Sequence, residues 1–195
     1  MSGGGVGPDD GDGGEFDRLR RRVLWAMPTG LFVVGSRAGD DRNLMTGNWV
    51  MQVATSPTLV VVAVEVESVT RRLVQDGGSF AVSLLARSER ALVRRFVRPV
   101  GDAEVDDAGV ARSLQGVAVV EVAGGLPVLA AAVAWLACSV RSVQEWDVDG
   151  SRGGASHVLV VGEVVDAGAS GRLSAPSDGD DPVLSMRDTR MHYGG

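Results

Sequence analysis

The segment from Asn43 to Thr70, NLMTGNWVMQVATSPTLVVVAVEVESVT, decides the expected fold and site. It opens with a polar turn that contains glycine, breaks at Ser56-Pro57, and continues as a β-branched run from Leu59 to Val66. Such a run is typical of a buried strand. The final Ser68-Val69-Thr70 is typical of a helix start. This succession predicts a cradle for a flat, phosphorylated ligand; the alternative is a core strand between two ordinary turns.

Composition limits the classes of function. The chain has 195 residues, enough for one sizeable core, so one domain is expected. A net charge of -6 argues against a nucleic-acid or membrane-surface partner. No apolar stretch reaches transmembrane length, and the N-terminus lacks the apolar core of a signal peptide. The single cysteine, Cys138, fits a reducing cytoplasm, which is the expected location.

Several kinds of site are excluded by the residues that the chain lacks. All 19 basic residues are arginine, which removes a P-loop lysine and any lysine Schiff base. With His157, His192 and Cys138 as the available soft ligands, no clustered zinc site is expected. Residues 1–14 are rich in glycine and aspartate, so a disordered tail is predicted before a domain over residues 15–195.

The order of elements predicts a mainly β fold. Six or more strands, two or three helices and no regular alternation of strand with helix favour an antiparallel barrel with peripheral helices. A helix is predicted from Phe16 and ends before Pro28, and a second helix is predicted after Ser88. The run from Leu129 to Ala134 allows a helix, and residues 101–116 are expected to form an irregular loop.

Two short segments are candidates for ligand binding, and each has a structural alternative. Ser68 and Thr70 at a helix N-terminus favour an anion such as a phosphate, although Ser68 can equally be an ordinary N-cap. In Thr46-Gly47-Asn48-Trp49, the glycine permits close approach, the polar side chains can bond a heterocycle, and the indole can stack. The alternative there is a β-bulge beside a core tryptophan. His157, at a strand start, is more typical of a surface residue than of a catalytic one.

Four segments resemble the flavin reductase-like family, the FMN-binding split barrels. They are Pro28-Thr29-Gly30 with LFVVGS, then MTGNWVMQVATSPTLVVVAVEVESVT, then GSFAVSLL, and finally PVLAAAVAWLACSV followed by His157, Gly162-Glu163-Val164 and PVLSMR. Together they cover roughly residues 23 to 190. The resemblance implies a six-stranded antiparallel Greek-key split β-barrel with peripheral helices, usually a homodimer that binds flavin near the subunit interface.

The resemblance also implies roles for residues. Thr46, Gly47, Asn48 and Trp49 would face the isoalloxazine, and Glu65, Ser68 and Thr70 would line the ribityl and phosphate side. Ser83 stands where the family has an asparagine of the flavin site, and His157 matches a histidine of the nicotinamide and flavin site. The family's Gly-Asp-His is Ala155-Ser156-His157 here, so the carboxylate beside the histidine is lost.

The function implied is hydride transfer from NAD(P)H to flavin by an FMN-binding flavin reductase. FAD is the alternative flavin, and a flavin-dependent monooxygenase is the implied partner for the reduced product. A rival hypothesis is a non-catalytic FMN-binding or electron-carrying protein, which the altered Ala155-Ser156-His157 segment favours slightly.

Overall fold

The computed structural model describes residues 13–146, 154–171, 173 and 183–189. Most of the predicted tail and the last tyrosine, Tyr193, lie outside these residues. The described chain is mainly β, as predicted. Its helices are α1 (Gly13–Ala26) and α2 (Val69–Gly77), with 3₁₀ helices at Arg87–Glu89, Leu92–Phe96, Ala123–Gly125 and Met186–Asp188. Its strands are β1 (Phe32–Ala38), β2 (Asp41–Gly47), β3 (Val50–Thr55), β4 (Thr58–Glu65), β5 (Ser79–Leu84), β6 (Ala103–Val105), β7 (Ala111–Leu114), β8 (Val117–Val122), β9 (Leu126–Leu129), β10 (Ala134–Gln144) and β11 (His157–Ala169).

Two antiparallel sheets form the fold. The larger has seven strands in the order β2-β1-β5-β10-β11-β4-β3, and the smaller has four in the order β6-β7-β8-β9. The hairpin of β10 with β11 lies near the centre of the larger sheet. Strand β4, which lies beside the edge strand β3, carries the buried valines Val60, Val62 and Val64 that the β-branched run predicted.

The predicted six-stranded Greek-key split barrel is not confirmed, because the described strands form sheets of seven and four strands that do not close into a barrel. β2 and β3 are consecutive in the chain yet occupy the two edges of the larger sheet. Only Asn48 and Trp49 separate them, and a linker of that length spans at most about 11 Å between the flanking Cα atoms. The larger sheet therefore curls until its two edges approach, and within the described residues no ladder joins them. The opening between these edges is the edge gap.

Several short strands were not predicted because they carry little periodic signal. β6 and β7 lie within the predicted loop 101–116, and β9 precedes the run where a helix was allowed. Three or four residues are too few for a reliable alternation. The helix predicted after Ser88 is replaced by two short 3₁₀ helices, and the segment Val183–Met186 forms isolated bridges before a further 3₁₀ turn.

The smaller sheet is held against the larger one by apolar packing and by one ion-pair cluster. Leu126 and Val128 of β9 pack with Ala81 and Ala137 of the larger sheet. Glu121 of β8 accepts from two arginines: Arg42 Nε on β2 at 2.5 Å and Arg37 Nη1 on β1 at 3.2 Å. The Arg42 and Glu121 side chains are only 4% and 9% exposed, so this cluster is largely shielded from water.

α1 ends at Ala26, close to the predicted limit before Pro28, and four of its large apolar residues are exposed. Leu19, Val23, Leu24 and Trp25 are between 45% and 57% exposed. No described helix is both long and apolar enough to cross a membrane.

Candidate functional site

A cavity of about 350 Å³ lies beside the edge gap. It gathers every site residue expected from the sequence except Ser83, and we call it the polar cavity. Its wall comes from the end of β2 and the following turn, the end of β4 with the first turn of α2, the start of β11, and the segment after the second 3₁₀ helix. The lining residues are Asn43, Leu44, Met45, Thr46, Gly47, Asn48, Trp49, Ala63, Glu65, Glu67, Ser68, Val69, Thr70, Phe96, Val97, Arg98, Pro99 and His157.

Strand pairing explains how distant segments reach this cavity. β4 and β11 are antiparallel neighbours, and their register places His157 directly opposite Glu65. Trp49 is attached to the same region because its carbonyl oxygen accepts from the Ala63 N–H at 3.0 Å. The first turn of α2 follows Glu65 within four residues. Sheet register therefore brings residues almost 110 positions apart into one wall.

Ser68 confirms the N-cap alternative. Its Oγ accepts from the Arg71 N–H at 3.1 Å and donates to the Glu65 carbonyl oxygen at 2.8 Å. The helix ends at Gly78, whose φ of 67° is the left-handed conformation that glycine adopts without strain. The first N–H groups of a helix have no acceptor within the helix, so the N–H groups of Val69 and Thr70 can donate to a ligand. Capping by Ser68 and anion binding at this turn are therefore compatible.

The two threonine hydroxyls of the cavity are already engaged within the protein. Thr46 Oγ1 donates to the Val93 carbonyl oxygen at 2.5 Å, and Thr70 Oγ1 accepts from Asn43 Nδ2 at 2.9 Å. Both threonines are buried. The two hydroxyl groups therefore stabilise the cavity wall. Backbone groups near Gly47 and at the N-terminus of α2 are the better candidates for contacts with a ligand.

The turn Gly47-Asn48-Trp49 is not a β-bulge beside a core tryptophan. Gly47 pairs in register with Phe32, and Trp49 is 41% exposed. A Cβ added to Gly47 would meet only the Met45 methyl at 3.6 Å, so neither crowding nor a left-handed backbone requires glycine there. Both observations leave room for a ligand to approach the backbone and the indole.

His157 is held by two neighbours. Its ring lies edge-on to Trp49 with centroids 4.9 Å apart and an interplanar angle of 73°, and Nδ1 is 2.9 Å from Ser156 Oγ. The hydroxyl group can donate to or accept from the ring nitrogen, according to the tautomer. Ser156 therefore provides a hydrogen-bond partner that fixes the orientation of the imidazole.

Ser83 is not brought to the cavity. It is fully buried in β5, and its Oγ accepts from the Leu129 N–H at 3.1 Å. This bond ties the main sheet to the end of β9, which gives Ser83 a structural contact in the described fold.

The structure also adds residues that the sequence did not single out. Asn43 and the segment Phe96–Pro99 line the polar cavity, and Arg98 is among them. A helix was predicted after Ser88, but residues 92–96 form a short 3₁₀ helix that ends before Arg98. No local sequence pattern signals that this segment folds over the end of β2. Within the described residues, no group of three or more histidine, cysteine or acidic side chains could hold a metal ion.

A second cavity of about 820 Å³ adjoins the first across Trp49, and we call it the apolar cavity. Both cavities are lined by Asn48, Trp49 and Ala63. Its remaining wall comes from the end of α1, the start of β1, strands β3, β4 and β11, and the C-terminal 3₁₀ helix: Leu24, Trp25, Met27, Pro28, Thr29, Gly30, Val50, Met51, Val61, Leu159, Met186, Arg187 and Thr189. Trp49 therefore separates a polar compartment from an apolar one.

Comparison with known proteins identifies the family. The model of the flavin reductase like domain matches residues 24–193, nearly the whole chain. The protein belongs to the flavin reductase like family.

The chain is similar in sequence and in structure to individual flavin reductases. The chain is 31% identical to the NADH-dependent FAD reductase of Streptomyces globisporus over 155 residues, which is 77% of the chain and 76% of that protein. The NADH:FAD oxidoreductase of Streptomyces globisporus C-1027, solved with NAD and FAD fragments, superposes with a TM-score of 0.62 at 28% identity, covering 88% of this chain and 99% of that one. The styrene monooxygenase flavin reductase of Pseudomonas putida S12 gives a TM-score of 0.60 at 25% identity, covering 77% and 86%.

Proposed function

We propose that the protein is an NADH-dependent flavin reductase that binds flavin in the polar cavity. The observation that carries this proposal is the convergence of Thr46-Gly47-Asn48-Trp49, Glu65, the first turn of α2 and His157 on one cavity. The family membership and the flavin and NADH named for its relatives support the same activity. The volume of the cavity lies within the usual range for small-ligand sites, and its neighbour adds apolar space.

The residues of the cavity fit a flavin in type. Trp49 offers an exposed flat surface, and the backbone of Gly47 and the amide of Asn48 offer hydrogen bonds for the polar edge of the ring. Ser68 and Thr70 belong to the turn whose N–H groups suit a phosphate, and Glu65 can bond ribityl hydroxyl groups. When bound, the flavin supplies the acceptor for the hydride, so the chain needs no acid-base pair of its own.

His157 is proposed to line the nicotinamide side of the site. Trp49 and Ser156 fix its orientation, and its position on the wall shared with Glu65 lets it limit the access of water. FMN is the proposed flavin, with FAD as the alternative, and NADPH is the alternative reductant.

A homodimer is proposed from the apolar surface beside the site. α1 exposes Val23 and Trp25, and the edge strand β3 exposes Met51 and Val53. Exposed apolar groups on a helix and on an adjacent strand edge suit a subunit interface. A flavin-dependent monooxygenase is the proposed consumer of reduced flavin, as the name of one structural neighbour suggests. The cytoplasm is the proposed location, and residues 15–195 are the proposed domain, after a tail over residues 1–14.

The test is an NADH oxidation assay with FMN, FAD or no added flavin, together with flavin binding measured by fluorescence. Flavin-dependent NADH consumption is the expected result. Yellow, flavin-loaded protein without turnover would favour the carrier hypothesis instead. A protein that neither binds flavin nor oxidises NADH would contradict both the reductase and the carrier hypotheses.

A matched pair of variants localises the site. Trp49→Leu is expected to raise the Kd for flavin about tenfold, because a stacked aromatic contact is lost. Trp146→Leu is the control, since Trp146 is similarly exposed at 49% and lines neither cavity. Equal effects of the two substitutions would place the flavin elsewhere.

A further inference from the structure

Arg98 is the one permanently charged cation among the described residues that line the polar cavity. Its side chain is exposed, and it forms no ion pair with any carboxylate of the described residues. Two arginines near the walls of the fold do form ion pairs: Arg71 pairs with Glu145, and Arg42 pairs with Glu121. Arg98 is therefore an uncompensated positive charge at the mouth of a cavity.

The charges in this cavity determine which ligands it can accept. Glu65 and Glu67 line the same wall as the N-terminus of α2, so the cavity carries more negative than positive formal charge. A phosphate with a charge of about -1.5 to -2 would be repelled by two carboxylates unless a cation lies close by. The guanidinium group can bond a phosphate with two parallel N–H groups, and α2 adds its free backbone N–H groups to the same ligand.

The backbone around Arg98 is fixed relative to α2. Asn43, which is 3% exposed, accepts from the Val100 N–H through Oδ1 at 2.8 Å and donates through Nδ2 to Thr70 Oγ1 at 2.9 Å. One buried amide therefore connects the segment after Arg98 to the first turn of α2. Thr46 Oγ1 fixes the segment before it through the Val93 carbonyl oxygen. The side chain of Arg98 remains free while its backbone is braced on both sides.

We propose that Arg98 binds the flavin phosphate and makes the cavity selective for phosphorylated flavins, FMN and FAD, over riboflavin. The proposal rests on the proposed function, because it assigns a residue of that site. The pyrophosphate of NADH presents the same chemistry, and binding measurements without NADH separate the two sources.

The test compares Arg98→Gln with Arg95→Gln. Arg95 is another exposed arginine three residues earlier, it lines neither cavity, and its replacement removes the same charge from the protein. The Kd of FMN and that of riboflavin are measured by flavin fluorescence in the absence of NADH. For Arg98→Gln, the Kd of FMN is expected to rise at least about fivefold, which corresponds to one charge-assisted contact, while that of riboflavin stays within about twofold. Arg95→Gln should change neither, and Arg98→Lys should recover part of the FMN affinity.

Three outcomes would overturn the assignment. Arg98→Gln could weaken FMN and riboflavin equally, Arg95→Gln could reproduce its effect, or Arg98→Gln could raise the KM for NADH without changing the preference for FMN. The last result would assign Arg98 to the nicotinamide nucleotide instead.

Failure of the reductase function gives a different pattern. Wild-type protein that binds FMN more tightly than riboflavin through Arg98, yet oxidises no NADH, would contradict the reductase proposal and support the role of Arg98. Turnover with both flavins, unchanged by Arg98→Gln, would support the reductase and overturn the role of Arg98.

Discussion

Replacing Asn43 by leucine conserves the approximate volume of the side chain but should lower the free energy of unfolding substantially. The amide is buried on β2 and joins two elements that are distant in the sequence: Thr70 in α2 and Val100 after the second 3₁₀ helix. Leucine fills the space but can neither accept from the Val100 N–H nor donate to Thr70 Oγ1.

The size of the effect follows from those two hydrogen bonds. Each buried hydrogen bond contributes about 1 kcal/mol net, and a buried group left without a partner costs about 1–3 kcal/mol. Thr70 is 1% exposed, so water cannot replace the amide there. The free energy of unfolding is therefore expected to fall by about 2–4 kcal/mol in Asn43→Leu.

Urea unfolding followed by tryptophan fluorescence measures this change, with Gln52→Leu as the control. Gln52 carries the same kind of side chain on exposed strand β3, where its amide bonds only the Ala54 carbonyl oxygen two residues away, so its loss should matter by less than about 0.5 kcal/mol. A double-mutant cycle with Thr70→Val should give a coupling of about 1 kcal/mol. A loss below about 0.5 kcal/mol in Asn43→Leu, or strict additivity with Thr70→Val, would refute the bridging role.

Three further predictions concern stability and reactivity. Gly162→Ala should lower the free energy of unfolding by about 1–3 kcal/mol, because a Cβ there would lie 2.5 Å from the buried Phe80 ring. Gly101→Ala, where a Cβ meets nothing within 4 Å, is the control, and an equal effect would contradict the packing argument. Burial raises the pKa of the Cys138 thiol to about 11, so iodoacetamide should modify it only after unfolding in urea; rapid labelling of folded protein at pH 8 would contradict this. Partial burial opposes ionisation of Asp188, but bonds from the Ser185 N–H and hydroxyl and from Arg87 outweigh it and lower its pKa. This carboxylate therefore stabilises the fold above about pH 4 and loses that contribution as the pH falls through its lowered pKa, so Asp188→Asn should lower the Tm at pH 7 and converge with wild type near pH 2. A Tm difference independent of pH would show that the charge is not involved.

Local sequence signals predicted the parts of the site whose chemistry is local. The β-branched run became buried strand β4, and Ser68 became the N-cap of α2. Gly47 and Asn48, where the sequence predicted that a ligand approaches the backbone closely, line the polar cavity. Each of these features depends on residues within a few positions of one another, so short-range propensity is sufficient.

The errors have a common cause in long-range packing. Ser83 was expected at the flavin site, but the strand pairing of β5 turns it towards Leu129. Short strands β6, β7 and β9 were not predicted, because pairing partners rather than intrinsic propensity stabilise so few residues.

The sequence by itself determined the strand-rich composition, the start of α2 after Ser68, the lack of lysine chemistry and the residues able to contact a flat phosphorylated ligand. Only the tertiary structure decided that the two sheet edges stay unpaired, that Asn43 braces the cavity, and that Arg98 supplies its positive charge. The physical reason is that these features require contacts between segments 27 to 57 residues apart. Their hydrogen bonds require segments that the folded sheet brings together, and no local pattern of residue types specifies that arrangement.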